Sequence, residues 1–503
     1  MKESLVYLAV DIGAESGRLM AGRWQGSQIA LQEVHRFPNG PVPLADTLRW
    51  DLLHLWREIR NGLAQASKLS DARPVSIGVD TWGVDYVLLG EHGEWMGLPY
   101  AYRDARTRGL VEEVLAQIPR AEIFAQSGTQ FLEINTLYQL LAAHKNTPGL
   151  LEKTQRMLLI PDWVHWALCG SEACEFTNAS TTQFLHPRLQ QWSRPLLETL
   201  GIPTHFLPSI VAPGTAMGPL RSNLQRDASL PPLTVTAPAT HDTASAVAAI
   251  PTERTGRCDW AYISSGTWSL VGAEVPEAHL GEAALRYNFT NEGGVDGTYR
   301  LLKNVMGLWL LQQLRSDLAQ AGTVLDYGAL VQLASEAPAL TCVVDPDAPG
   351  FLRPTRMIET LQQTCRAAGQ AAPSTPGAMA RCLLESLALR YRQVLEELEQ
   401  ITGSRLEIIH IVGGGSRNAL LNQFTADACQ RPVVAGPVEA TALGNVLVQA
   451  RAHGEIASLH ELRSIVRASC GAEIREFWPE KSRSAQWESA YERWRPLRPE
   501  IPG

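Results

Sequence analysis

Near the start of the chain an apolar run, Leu5 to Val10, meets the polar string Asp11-Ile12-Gly13-Ala14-Glu15-Ser16-Gly17-Arg18 and resumes at Leu19 to Ala21. Apolar residues on both sides of a glycine turn predict a strand, a tight turn and a returning strand. A looser echo follows in the second half, where Trp260 to Ile263 and Leu270 to Gly272 flank Ser264-Ser265-Gly266-Thr267-Trp268-Ser269. Two such hairpins predict two related domains facing a shared ligand. Glycine lets a backbone approach closely and aim its N–H groups at one spot, so the expected ligand is an anion such as phosphate.

Further strands are predicted at Val75 to Val79 and Tyr86 to Leu89, enclosing Asp80-Thr81-Trp82-Gly83-Val84-Asp85. Helical patterning follows around Thr107 to Gln117, Leu137 to His144 and Pro161 to Leu168. The proline-rich segment Pro203 to Pro238, with polar Arg221 to Asp227, reads as an inter-domain connection or surface excursion. His241-Asp242-Thr243-Ala244-Ser245-Ala246-Val247 fits a strand end leading into a helix. In the second half, Asn304 to Gln312 reads as a buried helix and Met379 to Gln400 as a long amphipathic one. The run Leu406 to Val412 predicts a strand ending in Gly413-Gly414-Gly415, and the helix after it carries Asn418, Asn422 and Asp427. A strand, bare backbone and a helix N-terminus form a second kind of nucleotide contact. Trp487, Tyr491 and Trp494, at i, i+4 and i+7, predict a packed helix face.

Composition narrows the classes. A chain of 503 residues fits two or three domains, and 45% hydrophobic with 19% charged residues describes a globular protein. The net charge of -8 without a Lys/Arg run argues against nucleic acid or an anionic membrane as partner. The segment Met1 to Asp11 does not read as a secretory signal, and no run approaches the roughly 18 apolar residues of a membrane span. The eight cysteines include no Cys-x-x-Cys and no zinc-ligand spacing, so a reduced, cytoplasmic enzyme is expected; a Cys365 to Cys382 bridge stays open. No Gly-x-x-x-x-Gly-Lys-Ser/Thr string occurs, and Gly-x-Gly-x-x-Gly fails because Asn418 stands at the third glycine.

What remains is the pattern of two hairpin phosphate loops and a late glycine-rich loop. The chain resembles the FGGY carbohydrate kinases over nearly its full length. The resemblance rests on Val10 to Arg18, Asp80 to Asp85, Glu175 to Gln183, His241 to Val247, Ser264 to Trp268, Leu302 to Trp309 and Val412 to Gly415, in that order. It implies an α/β fold of two ribonuclease H-like (actin-like ATPase) domains with an active-site cleft between them. Residues 1–244 would carry the sugar site, the first phosphate loop and the catalytic aspartate, and residues 245–503 the second phosphate loop and adenosine site. The implied reaction is transfer from ATP, with Mg2+, to the 1-hydroxyl of a ketose. L-rhamnulose, giving L-rhamnulose 1-phosphate in L-rhamnose catabolism, is the expected substrate; L-fuculose and xylulose are the alternatives. By the same resemblance, Ala14, Glu15, Ser16, Gly17, Arg18 and Thr267 would hold the ATP phosphates, Gln312 and Gly414 would complete the nucleotide site, and Asp11 would orient magnesium through water. Gly83, His241, Thr243 and Asn304 would contact the sugar. Many sugar kinases of this superfamily carry a hydroxyl residue where this chain has Ala14, which leaves the backbone to hold the phosphate and matches one branch of the family.

Phosphoryl transfer has a loose transition state, so catalysis consists mostly of positioning and electrostatic stabilisation. Asp242 is the expected base. Its ordinary pKa of about 3.9 rules out full deprotonation of an alcohol beforehand, but it can orient the hydroxyl and accept the proton late. Adjacent His241, ordinarily near 6.5, is the rival base on pKa alone. Asp80 and Asp85 read as loop-structuring residues, and Trp82, Trp268 and Trp309 as core. A divided ATP site predicts closure on sugar binding. Two other classes remain as alternatives: a non-catalytic actin-like ATP-binding regulatory module and, weakened by the missing fingerprint, a nicotinamide oxidoreductase. Oligomeric state is not legible; a monomer is compatible with the sequence.

Overall fold

The continuous apolar run Leu5 to Val10 is realised as a strand buried on both faces of its sheet. A computed structural model of the chain describes residues 4–69, 72–352 and 354–497. These fall into two compact units. The first comprises the chain up to Thr255, Val275–Leu301 and Ala440–Gly471; the second comprises Gly256–Glu274, Leu302–Glu439 and the chain from Ala472.

In the first unit, β1 (Ser4–Ile12), β2 (Ser16–Trp24) and β3 (Ile29–Pro38) form an antiparallel meander, and β4 (Ala72–Thr81) pairs parallel with β1. Beyond β4 lie β5 (Ala216–Pro219) and β6 (Thr234–Thr236), giving the order β5-β6-β4-β1-β2-β3. Val6, Leu8, Val10 and Ile12 belong to one apolar cluster with Leu55, Ile59 and Leu63 of the helix Leu52–Ala66. That helix places its apolar residues at i, i+3/i+4 spacing, and the Asp51 side chain caps it by accepting from the His54 amide at 2.9 Å. The alternate residues of β1 face the helix Ala440–Ala452, which packs on β1, β4 and the short helix Asp242–Ala248.

Local reading fails where long-range pairing decides. The proline-rich segment is not an excursion: β5, the helix Ser222–Ala228 and β6 lie within it, because the β-branched run Thr234-Val235-Thr236 pairs with β4. The predicted helix over Thr107 to Gln117 is a 3-10 turn, Ala105–Thr107, and a short helix, Leu110–Leu115, separated at Gly109 with φ 74°.

The second unit repeats the strand pattern. β7 (Trp260–Ser265) and β8 (Trp268–Val275) form an antiparallel hairpin, and β9 (Tyr299–Met306), whose first residues belong to the first unit, lies next to β8. On the other side of β7 come β10 (Ile408–Val412) and β11 (Val433–Ala435), both parallel, then antiparallel β12 (Arg475–Phe477). The orders β3-β2-β1-β4 and β9-β8-β7-β10 correspond strand for strand, so both hairpins stand at the same place in two ribonuclease H-like sheets.

The long predicted helix forms as Pro376–Thr402, with Thr375 capping its start, proline in its first turn and Gly403 at φ 68° ending it. Asn304 to Gln312 is not one helix: β9 runs to Met306, Gly307 packs on the β7–β8 turn, and the helix is Trp309–Gln320. A Cβ at Gly307 would lie 2.5 Å from the Trp268 carbonyl carbon, which fixes the break there. Trp487, Tyr491 and Trp494 are buried on the helix Ser484–Trp494, as the spacing predicts. None of the eight cysteines is in a disulfide, so Cys365 and Cys382 are not bridged, and the Sγ atoms of Cys342, Cys365 and Cys382 lie within 4.8 Å of one another.

One glycine tests the packing of the short helix Asp242–Ala248. A Cβ at Gly444 would stand 1.8 Å from the Ser245 carbonyl oxygen, a backbone atom that cannot rotate away. Gly444→Ala should therefore lower stability in urea unfolding by roughly 1–3 kcal/mol or more, whereas an unchanged midpoint and slope would refute this packing.

Candidate active site

The side chains with catalytic chemistry in the first unit converge because strands β1 and β4 run parallel in register. Asp11 is paired with Asp80 across these strands and with Arg18 across β1 and β2. Arg18 Nη2 donates to Asp11 Oδ2 at 2.6 Å. Thr81 bridges to His241 in parallel, which brings Asp242 to the same end of the sheet. Asp80 is fully buried; its Oδ2 accepts from Asn445 Nδ2 at 2.6 Å, and its Oδ1 has no hydrogen-bond partner. Burial, then the charges of Asp11 and Asp242, push the Asp80 carboxyl well above the usual carboxylate range, against the Asn445 hydrogen bond. Asp80 is thus the end of a strand in a carboxylate cluster and not the loop-structuring residue expected.

Asn445 comes from the helix Ala440–Ala452, and its Oδ1 accepts from Gln449 Nε2 at 2.6 Å while Gln449 also donates to the Leu8 carbonyl at 2.9 Å. A Cβ at Gly78 would come within 2.7 Å of both amides, so this glycine admits them to the strand surface. Neither Asn445 nor Gln449 stands in a motif, and only their i, i+4 spacing in an apolar helix marks them.

The first turn is held from outside. Gly13 donates its amide to the Ser16 carbonyl at 2.9 Å, and Asn39 Nδ2 donates to the Gly13 carbonyl at 2.8 Å. Ala14 and Ser16 are half-buried and Glu15 is exposed. Gly17 is buried beneath Phe37, whose ring a Cβ would meet at 2.2 Å.

The loop carrying Gly83 is clamped between buried polar groups. A Cβ at Gly83 would meet Thr181 at 2.9 Å, and Thr181 Oγ1 accepts from the Val84 amide at 3.0 Å. Val84 has φ 68°, a left-handed conformation costly for a β-branched residue; its carbonyl accepts from Thr136 Oγ1 at 2.7 Å. Asp85 does structure this loop: its Oδ2 accepts from the indoles of Trp50 at 2.6 Å and Trp82 at 2.9 Å, and its Oδ1 from Gln139 at 2.9 Å. Trp82 is buried, as expected, while Trp268 and Trp309 are half-buried.

His241 and Thr243 are buried, and Asp242 keeps 30% of its side-chain surface exposed. Asp242 Oδ1 accepts from the Thr243 amide at 2.5 Å and from Thr243 Oγ1 at 3.2 Å, and His241 Nε2 lies 3.5 Å from the same oxygen. Glu175 anchors the approach to this segment: its Oε2 accepts from Thr177 Oγ1 at 2.5 Å and Thr240 Oγ1 at 2.7 Å, and Thr177 Oγ1 accepts from the His241 amide at 3.1 Å. Behind His241 stand two buried residues that no motif announced, Glu292 and Arg300. Arg300 Nη2 lies 3.0 Å from both His241 Nδ1 and Glu292 Oε2. Burial works to raise the Glu292 carboxyl, but the Arg300 charge and the His241 contact outweigh it and hold it below its ordinary value.

In the second unit, the Gly266 amide donates to the Trp268 carbonyl at 2.9 Å, closing the second hairpin turn. Leu308 and Trp309 donate their amides to the carbonyls of Gly266 and Thr267 at 3.0 and 3.2 Å, which seats the start of the Gln312 helix on that turn. Thr267, Asn304 and Gln312 are half-buried. Gly415 packs against Ser265, where a Cβ would meet Oγ at 2.0 Å, whereas Gly414 is exposed and a Cβ there would meet nothing within 4 Å. The glycine triplet is therefore tied to the second hairpin through one member and open at another.

Family models for the N-terminal and C-terminal domains of the FGGY family of carbohydrate kinases match residues 6–249 and 261–453. The chain belongs to this family. It is 45% identical over 461 residues to a rhamnulokinase of Pectobacterium atrosepticum, covering 91% of this chain and 90% of that one. A rhamnulokinase of Bacteroides thetaiotaomicron is 40% identical over 486 residues, covering 96% and 98%. Among solved structures, a gluconate kinase from Lactobacillus acidophilus has the same fold, with a TM-score of 0.80 at 16% identity and 98% of each chain covered. Among the described residues no helix is long and apolar enough to cross a membrane.

The clamp on Asp85 has a pH signature. Burial raises its carboxyl to about 6 despite its hydrogen bonds, against about 3.9 unfolded. Between these values the unfolded chain has lost the proton while the folded one retains it, so the contribution is full below about pH 4 and lost as pH rises through about 6. The difference in urea-unfolding free energy between the wild type and Asp85→Asn should shrink by roughly 2 kcal/mol from pH 4 to pH 7; a flat or widening difference would contradict it.

Proposed function

We propose that the chain phosphorylates the 1-hydroxyl of L-rhamnulose with ATP, giving L-rhamnulose 1-phosphate and ADP, in the cytoplasm. The reaction is carried by one observation: Asp242 has its Oδ1 held by Thr243 while the carboxylate as a whole stays partly exposed at the end of a sheet bearing Asp11 and Asp80. The choice of ketose is supported by the rhamnulokinases that are 40–45% identical over most of the chain.

In this reading Asp242 Oδ2 accepts the hydroxyl proton as the sugar oxygen bonds to the γ-phosphorus and the bond to the ADP oxygen breaks. Gly83, His241, Thr243 and Asn304 hold the sugar. The turn from Ala14 to Arg18, with Thr267, Gln312 and Gly414, holds the nucleotide. The carboxylates of Asp11 and Asp80 fit a hard divalent cation, since they are paired across adjacent strands and Asp80 Oδ1 is buried with no partner. Magnesium bound there would neutralise phosphate charge. Asp11 would orient it, with Asp80 behind.

Coupled ADP release measured over a panel of ketoses should be stimulated most by L-rhamnulose, with L-fuculose and D-xylulose weaker. A failure of every sugar to stimulate release would remove the kinase reading, and a large preference for another ketose would remove the substrate. Asp242→Asn should lower kcat by about a thousandfold or more while nucleotide binding, followed by calorimetry, stays intact.

The open face of Gly414 gives a second test. Gly414→Val should raise the KM for ATP by about tenfold or more at an unchanged melting temperature. An unaltered KM would take Gly414 out of the nucleotide site.

A further inference from the structure

Whether the His241 ring turns a lone pair or an N–H towards Asp242 depends on which of its nitrogens carries the proton. The ring lies between Asp242 on its Nε2 side and the pair Glu292–Arg300 on its Nδ1 side. Arg300 is fully buried, and a guanidinium has only donors and stays charged in proteins. Its Nη2 forms a hydrogen bond with His241 Nδ1 at 3.0 Å, so Nδ1 must present its lone pair. A proton on Nδ1 would meet the guanidinium N–H head-on. The competing arrangement, Nδ1–H turned to Glu292 Oε2 at 3.2 Å, would leave the Arg300 N–H that is aimed at the same nitrogen facing another donor.

We propose that Arg300, held by Glu292, fixes His241 as the tautomer protonated on Nε2, so that the ring turns an N–H and not a lone pair towards Asp242 and is not itself the base. This rests on the reading of Asp242 as the base. With its proton on Nε2, His241 faces, at 3.5 Å, the oxygen already bonded by the Thr243 amide and hydroxyl. The two Thr243 donors hold Oδ1 and leave Oδ2 for the sugar hydroxyl. The ring has no lone pair on that side, so the proton released by the sugar goes to Asp242. Glu292 balances the charge of Arg300, and its backbone neighbour contributes too, because Arg300 Nε donates to the Gly293 carbonyl at 2.8 Å.

The wild-type protein supplies the first test without any variant that has to fold. Imidazole nitrogen-15 spectra, with the His241 signals assigned by their loss in His241→Gln, should show Nδ1 unprotonated and Nε2 protonated at neutral pH. A proton on Nδ1, alone or with one on Nε2, overturns the proposal. Arg300→Lys should preserve the Nε2–H tautomer and Arg300→Met should release it; a tautomer unaffected by Arg300→Met removes Arg300 from the role. These outcomes are separate from the fate of the base assignment, which Asp242→Asn alone decides.

Discussion

Parallel pairing of β1 with β4 sets Asp11 beside Asp80, and the rest of the first unit's active end is arranged around that juxtaposition. Neighbouring strands lie roughly 5 Å apart. Two carboxylates at such a separation repel by about 3 kcal/mol at an effective dielectric of 20, before any desolvation cost. The chain counters this in two ways. Arg18, opposite Asp11 on β2, supplies a cation, and Asn445 supplies an amide donor to Asp80. The donor comes from the helix Ala440–Ala452, far along the chain, and reaches the strand because Gly78 leaves room for it. Burial still dominates at Asp80, whose carboxyl stays raised and whose second oxygen has no partner. A site that gathers carboxylates and leaves one unsatisfied has the donor set of a hard-cation site.

Glycine reports two opposite constraints in this chain. At Gly17, Gly83 and Gly415 a Cβ would strike Phe37, Thr181 and Ser265, so the missing side chain is demanded by the protein's own packing. At Gly414 nothing stands within 4 Å, and the missing side chain serves no internal contact. Sequence alone cannot separate these cases, because both appear as glycine in a polar turn. The distinction is physical: the first kind fixes the shape of a loop, and the second leaves bare backbone facing outwards.

The legible parts of the molecule are those whose signal is local. Both hairpins, the strand into Gly413 to Gly415, the long helix and the aromatic face of Trp487, Tyr491 and Trp494 follow from spacing within a few residues. The α/β class and the family followed from the ordered motifs, and the domain models bear both out. What stayed hidden depends on distant partners. Asp80 resembled a loop residue because its strand ends in polar Asp80-Thr81, which only the pairing with Asp11 and Ile12 explains. The segment Pro203 to Pro238 looked irregular because its strands are two to four residues long and take their places from partners such as Cys174–Glu175 and β4. Asn445, Glu292 and Arg300 carry no motif, being separated from Asp80 and His241 by 365, 51 and 59 residues.

The role proposed for Asp242 rests on positioning. A carboxylate that must accept a proton only as the phosphorus–oxygen bond forms needs correct placement more than a high pKa. Placement here is redundant. Glu175 ties down Thr240 and Thr177, Thr177 holds the His241 amide, and Thr243 takes one carboxylate oxygen from two directions. The short helix that Asp242 begins is pressed against the helix Ala440–Ala452 where Gly444 admits the Ser245 carbonyl. That same helix carries Asn445 to Asp80, so adjacent residues of one element fix the backbone behind Asp242 and the carboxylate beside Asp11. The two segments are also joined directly, since Thr81 bridges to His241 and its amide donates to the Thr240 carbonyl at 2.9 Å, so the spacing of the two carboxylates is held both by this helix and by the strand end itself.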